Sequence, residues 1–305
     1  MGTTMSTPLN ILVLGGGPDR EREVSLKSAA SVAAALRTAG HTVTESDVRP
    51  DDLSALEKPS DVVFPVLHGR WGEGGALQRL LDAKKVPYVG CRSRAAWLGM
   101  DKCASKQVAQ RHGVPTPPYQ LLGPLTPITL TAPMAIKALT EGSSYGVWIC
   151  PTQADVEAAR KKLHAHFAFG MAEQYVAGRE FTVGILDQTV LPPIWIKPAD
   201  GHYTFDAKYQ RDDTQYLFDL ELPEAVVDQI KGYALAVFNG IGARHLSRVD
   251  FIVDAQNKPW FLEINTLPGF TDHSLLPKAA AKIGYDMPHL CDMLVRLAIK
   301  DGVSR

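Results

Sequence analysis

Asp250, Glu263 and Asn265 are the residues of this chain whose types and spacing point most directly to chemistry. Glu263 and Asn265 stand two apart in the apolar run WFLEIN. Side chains at i and i+2 leave a strand on the same face, so a carboxylate and an amide oxygen project together. A second strand-like run, SRVDFIV, offers Asp250 from among apolar neighbours. Carboxylates in such surroundings are costly to bury unless a cation compensates. A few hard oxygen ligands that leave positions for phosphate oxygens and water suit Mg²⁺ bound with a nucleotide. The plainer alternative is that Asp250 and Glu263 pair with Arg248 or Lys258, and the motif alone does not decide between the two.

Other segments carry compatible chemistry. The loop EGSSYG places Gly142 and the hydroxyls of Ser143 and Ser144 between two strand-like runs, and turns with exposed amides cradle phosphate oxygens. Lys137 lies in the apolar run just before it and needs an anionic partner, either a carboxylate or a phosphate. Lys102, in MDKCASK, is a second such candidate against the simpler reading of a solvated helix lysine. Glu173 and Glu180 flank EQYVAGRE, where a carboxylate can accept from ribose hydroxyls and backbone groups of a linker can read adenine. Arg248 shares a strand face with Asp250, which suits an oxyanion or a transferring phosphoryl group, and the Gly269 amide could join it. His68 lies in HGRWGEGG, which reads as a strand-end loop. Glu21 and Glu23 fall in the first turn after a glycine-rich loop, positioned either to cap the helix or to hold a substrate ammonium.

These residues require positioning elements. With 305 residues the chain is expected to form two or three packed units. The first hundred residues alternate strand and helix: strands at Asn10 to Leu14, Val62 to Leu67 and Pro87 to Val89, and helices at Val24 to Ala39 and Ala76 to Lys84. That pattern predicts a parallel sheet with helices on both faces, with ligands bound beyond the carboxyl ends of its strands. The proline-rich stretch from Gly113 to Pro133 reads as a connector. PMAIKAL and YGVWIC then form a hairpin, Gln153 to His166 a helix, and MAEQYV, REFTVGILD and LPPIWIKP strands. A polar loop leads to a helix from Pro223 to Ile241, and Leu275 to Ile299 reads as helical.

Composition narrows the function classes. Hydrophobic residues make up 45% and charged residues 21%, as in a globular protein, and the net charge of −1 offers no electrostatic case for nucleic acid or a polybasic membrane contact. The N-terminal segment lacks the basic region of a signal peptide, with Met5 an alternative start, and no apolar run has the ~20 residues needed to span a bilayer. Cys91, Cys103, Cys150 and Cys291 form no CxxC pair and read as buried thiols of a reducing cytoplasm.

Taken in order, GGGPDREREVSLKSA, LHGRWGEGGALQ, PYVG, MDKCASK, EGSSYG, GREFTVGIL, FDAKY, RVDF and LEINTLPGFTDHSLLP resemble the D-alanine–D-alanine ligases of the ATP-grasp superfamily. The resemblance runs from about Ile11 to Leu297. It implies an N-terminal parallel α/β domain (1–95) binding the first D-alanine, a central ATP-grasp domain (96–180), and a C-terminal α+β domain (181–305) that with the central one sandwiches ATP. It further implies ATP and two Mg²⁺ ions as cofactors, with Mn²⁺ as an alternative, and cytoplasmic ligation of two D-alanines through a D-alanyl phosphate for peptidoglycan precursors. By resemblance, Glu21 binds the first ammonium, His68 sits near that substrate's carboxylate, and Ser274 and Leu275 receive the second carboxylate. Lys102, Lys137, Ser143 and Ser144 frame the phosphates, Glu180 holds the ribose, and Glu173, Tyr175 and Val176 lie at adenine. Asp250, Glu263 and Asn265 hold the metals, and Arg248 with the Gly269 amide stabilises the tetrahedral intermediate. Lys208 and Tyr209 belong to a closing loop, Tyr209 in a hydrogen-bond network with Ser143 and Glu21. Family members are often dimers.

The chain departs from the family pattern at several points. Ala138 stands for a usual proline, Tyr145 for a small aliphatic residue, Gly74 for aspartate and Trp71 for a small residue. The connector before Lys137 is short enough that a helix at the edge of the central domain is expected to be missing. The alternatives are a ligase with D-lactate, D-serine or another acceptor, and a non-catalytic ATP-binding regulator. Retention of Arg248, Asp250, Glu263 and Asn265 argues against the regulator.

Overall fold

A computed structural model describes residues 7–198, 213–271 and 273–303. The chain groups into two compact units: unit 1 holds Met1–Ala96, Ala243–Leu246 and Thr266–Arg305, and unit 2 holds Trp97–Gly242 and Ser247–Asn265.

In unit 1 the strands β1 (Asn10–Gly16), β2 (Thr42–Val48) and β3 (Val62–Pro65) form a parallel sheet in the order β2-β1-β3. The central strand NILVLGG is buried from Ile11 onward, as expected of a strand with neighbours on both edges. Helix α1 (Arg22–Thr38) connects β1 to β2 and buries Ser25, Ala29, Val32 and Leu36, a stripe at helical spacing. The buried Ser25 hydroxyl accepts from Gly16 N at 3.0 Å and donates to Val66 O at 2.7 Å, tying together the carboxyl ends of β1 and β3. Helices α2 (Gly69–Glu73) and α3 (Ala76–Lys84) follow.

Unit 1 differs from expectation at several elements, among them α2, a short helix inside the segment read as a strand-end loop. Strand β2, TVTESDV, has no counterpart in the sequence reading, because an edge strand with mostly exposed polar side chains lacks apolar periodicity. The strand expected at Pro87 to Val89 is reduced to a single parallel bridge, Val63 with Tyr88. The C-terminal helix is two, α8 (Leu275–Ala281) and α9 (Met287–Val303), separated by a turn in which Gly284 has φ +88°.

The chain passes from unit 1 to unit 2 within α4 (Ser93–Met100). Unit 2 holds two antiparallel sheets. The first has the order β4-β7-β5-β6, from β4 (Tyr119–Leu122), β5 (Met134–Ala138), β6 (Val147–Cys150) and β7 (Gly170–Gln174), with α6 (Gln153–His166) packed on it. The second has the order β11-β10-β8-β12-β13, from β8 (Gly178–Leu186), β10 (Ile194–Lys197), β11 (Gln215–Leu217), β12 (Leu246–Asp254) and β13 (Pro259–Asn265), while β9 (Thr189–Val190) pairs with β8. Helix α7 is Glu224–Ile241. Strand β4 lies inside the stretch expected to be a plain connector; its four residues are too short for a periodic signal between prolines. Between Leu122 and Met134 there is no helix, in line with the shortened connector.

Helix α5 (Lys102–Arg111) begins with the candidate Lys102. Asp101 caps it, its carboxylate accepting from Ala104 N at 2.8 Å. Asp101→Ala removes that acceptor and is expected to cost about 1 kcal/mol. A lowered thermal midpoint checks this; a melt identical to wild type would exclude the cap's contribution.

Candidate functional site

The two groups of candidate residues fall in different units. Unit 1 carries Glu21, His68, Gly269, Ser274 and Leu275. Glu21 occupies the residue before α1 without a side-chain capping bond, and its carbonyl accepts from Ser25 N at 2.9 Å. His68, only 7% exposed, precedes the first turn of α2 in extended conformation. Ser274 caps α8; its hydroxyl accepts from Thr271 N at 2.9 Å, and Leu275 begins the helix, buried. Gly269 sits between these groups. A Cβ there would come within 2.9 Å of Ser274 Oγ and 3.8 Å of the His68 ring, so the bare glycine keeps the backbone close to both. Its loop is anchored by Phe270, whose N–H donates to Ser28 Oγ at 3.3 Å and whose ring meets Phe64 edge to face at 5.4 Å.

Asp19 was not singled out from sequence. Its carboxylate accepts from Trp71 N at 3.1 Å, so it ties the glycine-rich turn after β1 to the one after β3. Burial pushes the Asp19 carboxyl up from its ordinary value, and the charge of Glu21 adds to that rise. The two strand-end loops carrying Glu21 and His68 are thus cross-linked by Asp19 in addition to Ser25. Trp71, partly buried, packs against the core cluster that includes Leu14, Leu67, Leu77 and Tyr88.

Unit 2 holds a cavity of about 620 Å³, a size that accommodates a drug-sized or nucleotide-sized ligand. Apolar side chains from both sheets line it, among them Ala135, Val147, Ile149, Ile196 and Leu262. Ile149 is 43% exposed, an unusual position for an isoleucine that its place on the cavity wall explains. Lys102, Lys137, Ser144, Glu173, Tyr175, Val176, Glu180 and Glu263 all line the same cavity, although they are spread over more than 160 residues of sequence. Tyr175 and Val176 belong to the short link between β7 and β8, and Glu180 pairs across the sheet with Ile196. Ser143 is not among the lining residues. Lys208 and Tyr209 lie outside the described residues.

Ion pairs organise the cavity wall. Lys102 donates to Glu141 O at 2.7 Å and lies 3.2 Å from Glu263. Lys137 pairs with Glu173, so the anionic partner its apolar strand demanded is here a carboxylate. Glu173 also pairs with Lys106 at 2.5 Å, a lysine that sequence reading passed over. Burial by itself would raise the Glu173 carboxyl, but the charges of Lys106 and Lys137 outweigh it and hold the group below its ordinary value. Burial pulls the Lys106 ammonium below its own usual value.

The loop between β5 and β6 is tight and unusual. Ser143 and Ser144 both adopt positive φ, +51° and +59°, and Tyr145 N donates to Gly142 O at 2.9 Å. Tyr145 meets Phe167 edge to face at 6.3 Å, so the residue that departs from the family pattern anchors this loop near the end of α6. Ala138 fits against Gly146, where an added Cβ would be 2.8 Å from that of Ala138.

On the ribbon of β12 and β13, Asp250 stands opposite Glu263 and Arg248 opposite Asn265. The two carboxylates, the amide and the guanidinium therefore project from one face. Asp250, 3% exposed, accepts from Thr182 Oγ1 at 2.5 Å and from Arg248 through two nitrogens, each at 3.1 Å. The alternative of an Arg248 partner for Asp250 is thus realised, while Lys258 instead lies 3.9 Å from the centre of the Trp260 ring. No cluster of three His, Cys, Asp or Glu suited to a metal occurs among the described residues. The set of two carboxylates and one amide oxygen still fits a hard cation that draws its remaining ligands from phosphate and water.

Residues 126–296 match the family described as D-ala D-ala ligase C-terminus, and residues 44–91 match D-ala D-ala ligase N-terminus. A D-alanine–D-alanine ligase of Bordetella avium is 41% identical over 289 residues, covering 92% of this chain and 91% of that protein. The structure of the D-alanine–D-alanine ligase from Coxiella burnetii superposes with a TM-score of 0.85 at 27% identity, covering 98% of this chain and 96% of that one. The Bacillus anthracis D-alanine–D-alanine ligase complexed with ATP gives the same TM-score at 26% identity, covering 97% and 99%. Fold and sequence together place the chain, with its ATP-grasp architecture, in the D-alanine–D-alanine ligase family.

Proposed function

We propose that this chain is an ATP-dependent ligase that joins two D-alanine molecules into D-alanyl-D-alanine for peptidoglycan precursor synthesis. The observation that carries the reading is the unit 2 cavity, where Lys102, Lys137, Ser144, Glu180 and Glu263 converge in a chain 41% identical to a D-alanine–D-alanine ligase. Within it, Glu180 accepts from the ribose hydroxyls, and Glu173 with the backbone of Tyr175 and Val176 meets adenine. Lys102, Lys137 and the hydroxyls of Ser143 and Ser144 receive the phosphates. Asp250, Glu263 and Asn265 would hold two Mg²⁺ ions, which neutralise phosphate charge when bound. We propose for the chain the division 1–95, 96–180 and 181–305, a homodimeric assembly and a cytoplasmic location. No helix among the described residues is long and apolar enough to cross a membrane.

The chemistry proceeds in two balanced steps. A carboxylate oxygen of the first D-alanine attacks the γ-phosphorus of ATP, the bond to the bridging oxygen breaks, and ADP leaves. Glu21 holds that substrate's ammonium and His68 lies by its carboxylate, so the nucleophile is oriented. The amine of the second D-alanine, its carboxylate received at Ser274 and Leu275, then attacks the acyl phosphate carbonyl. Arg248 and the Gly269 amide stabilise the oxyanion that develops, the amine loses a proton, and inorganic phosphate leaves. The acyl phosphate is prone to hydrolysis, so water must be kept from it during the second attack; Lys208 and Tyr209, assigned that role, lie outside the described residues.

The test is coupled ADP release with Mg²⁺-ATP and D-alanine, with D-lactate, D-serine and L-alanine as competing second substrates. ADP and phosphate formed with D-alanine alone, and dipeptide found by mass, are the expected results. Equal or faster product formation with another acceptor would reassign the substrate, and ATP binding without turnover would reassign the chain to a regulator.

A further inference from the structure

Helix α5 carries lysines at 102 and 106, four residues apart and so on one helix face. Lys102 lines the nucleotide cavity, whereas Lys106 does not. Lys106 is 0% exposed, lies 2.5 Å from Glu173, donates to Phe261 O at 3.0 Å and sits 5.5 Å from the Phe261 ring centre. Glu173 is itself 2% exposed and pairs through its other oxygen with Lys137. One buried carboxylate therefore serves two ammonium groups, and the trio joins α5, β5, β7 and β13 with a net positive charge. A methionine would fill the space of Lys106 without the cost of desolvating a cation, so packing alone does not account for a lysine here.

We infer that Lys106 is a positioning residue for nucleotide binding: it holds Glu173 in place and shares its charge, so that Lys137 can turn from the carboxylate to an incoming phosphate. The inference rests on the nucleotide reading of the cavity. When Lys137 turns away, Glu173 keeps a buried cationic partner. Were Lys106 neutral, the same movement would strand a buried carboxylate, and the penalty would fall on nucleotide affinity. Lys106 makes the exchange nearly neutral without touching the ligand.

Calorimetric titration with a non-hydrolysable ATP analogue and Mg²⁺, without amino acid, tests this. In Lys106→Met, the Kd for the analogue and the KM for ATP are expected to rise roughly tenfold or more, while the KM for D-alanine stays within about twofold. A purely structural lysine would move both constants or neither. In Lys106→Met/Glu173→Gln the carboxylate charge is gone as well, and the affinity is expected to match that of Glu173→Gln alone, because Lys106 acts through Glu173. Analogue binding by a folded Lys106→Met within twofold of wild type would overturn the inference. A double variant that binds worse than Glu173→Gln would also overturn it, and that comparison decides the matter if the single variant does not fold. Because binding is read without amino acid, failure of the D-alanine reading would leave wild-type affinity intact, whereas a wild type that binds no nucleotide would remove both.

Discussion

Glu263→Gln is expected to reduce D-alanine-dependent ADP release by at least about 100-fold, a loss at the top of the range seen when groups supporting a metal site are removed. The substitution keeps the side-chain shape and one acceptor oxygen but removes the charge. Glu263 pairs across the ribbon with Asp250, lines the cavity and faces Lys102 at 3.2 Å. Two consequences follow from that geometry, and they can be separated. If the carboxylate serves as a metal ligand, higher Mg²⁺ recovers part of the rate, and nucleotide binding in EDTA is the same in variant and wild type. If its work is to hold Lys102, nucleotide binding in EDTA weakens as well, and added Mg²⁺ restores nothing. Wild-type turnover at low Mg²⁺ would sink the metal assignment outright. The side chain is a third exposed, so the folded state should lose little stability.

Much of this arrangement was legible in the sequence because it follows local rules. The helices α3 and α6 begin and end where periodicity and flanking residues put them, Ala76 to Lys84 and Gln153 to His166. The Glu263 and Asn265 strand is β13, and its i, i+2 spacing places both residues on the face that also presents Asp250. Lys102, Lys137, Ser144, Glu173, Tyr175, Val176 and Glu180, distant from one another in the chain, line one cavity, whereas Ser143 does not. Other features have no local signature. Strand β2 is an exposed edge held by backbone pairing to β1, which polar side chains do not announce. Helix α2 carries Gly69 and Gly72, poor helix formers kept there by Asp19, Glu73 and close packing on Leu67. Lys106 reads as one more polar residue in a helix until Glu173, 67 residues later, is seen beside it.

The departures from the family pattern act on the frame of the site and leave its charged groups in place. Tyr145 and Phe167 brace the loop between β5 and β6, and the small Ala138 side chain lies against Gly146. Trp71 packs, partly buried, against the core cluster of unit 1. The charged groups of unit 2 instead satisfy one another: Lys102 with Glu263, Lys137 and Lys106 with Glu173, Arg248 with Asp250. On the proposed reading, ligand binding at this wall would be an exchange of partners, with a phosphate replacing Glu173 for Lys137 and a cation replacing Arg248 for Asp250. Such exchange limits the desolvation cost of assembling like-signed groups around a triphosphate.

Arg248→Lys tests the exchange at its most demanding point and is expected to lower kcat by roughly 10²–10³-fold while leaving the KM for ATP nearly unchanged. Arg248 grips Asp250 with two nitrogens, and Asp250 is also fixed by Thr182, so the guanidinium is held rigidly beside the carboxylate. A cation taken up at Asp250 would repel the guanidinium charge and favour its turning to the oxyanion that forms on the acyl phosphate carbonyl. Lysine keeps the charge, and with it much of the neutralisation of Asp250, but lacks the planar fork that can face two oxygens in fixed geometry. The loss should therefore appear in the chemical step and not in nucleotide affinity or in the melting temperature. Pre-steady-state measurement sharpens the test, since ADP formation in the first turnover should be less affected than dipeptide release. A variant with unchanged kcat would confine Arg248 to balancing the charge of Asp250, and a variant that melts early would show that the fork is chiefly a strut of the β12 and β13 ribbon.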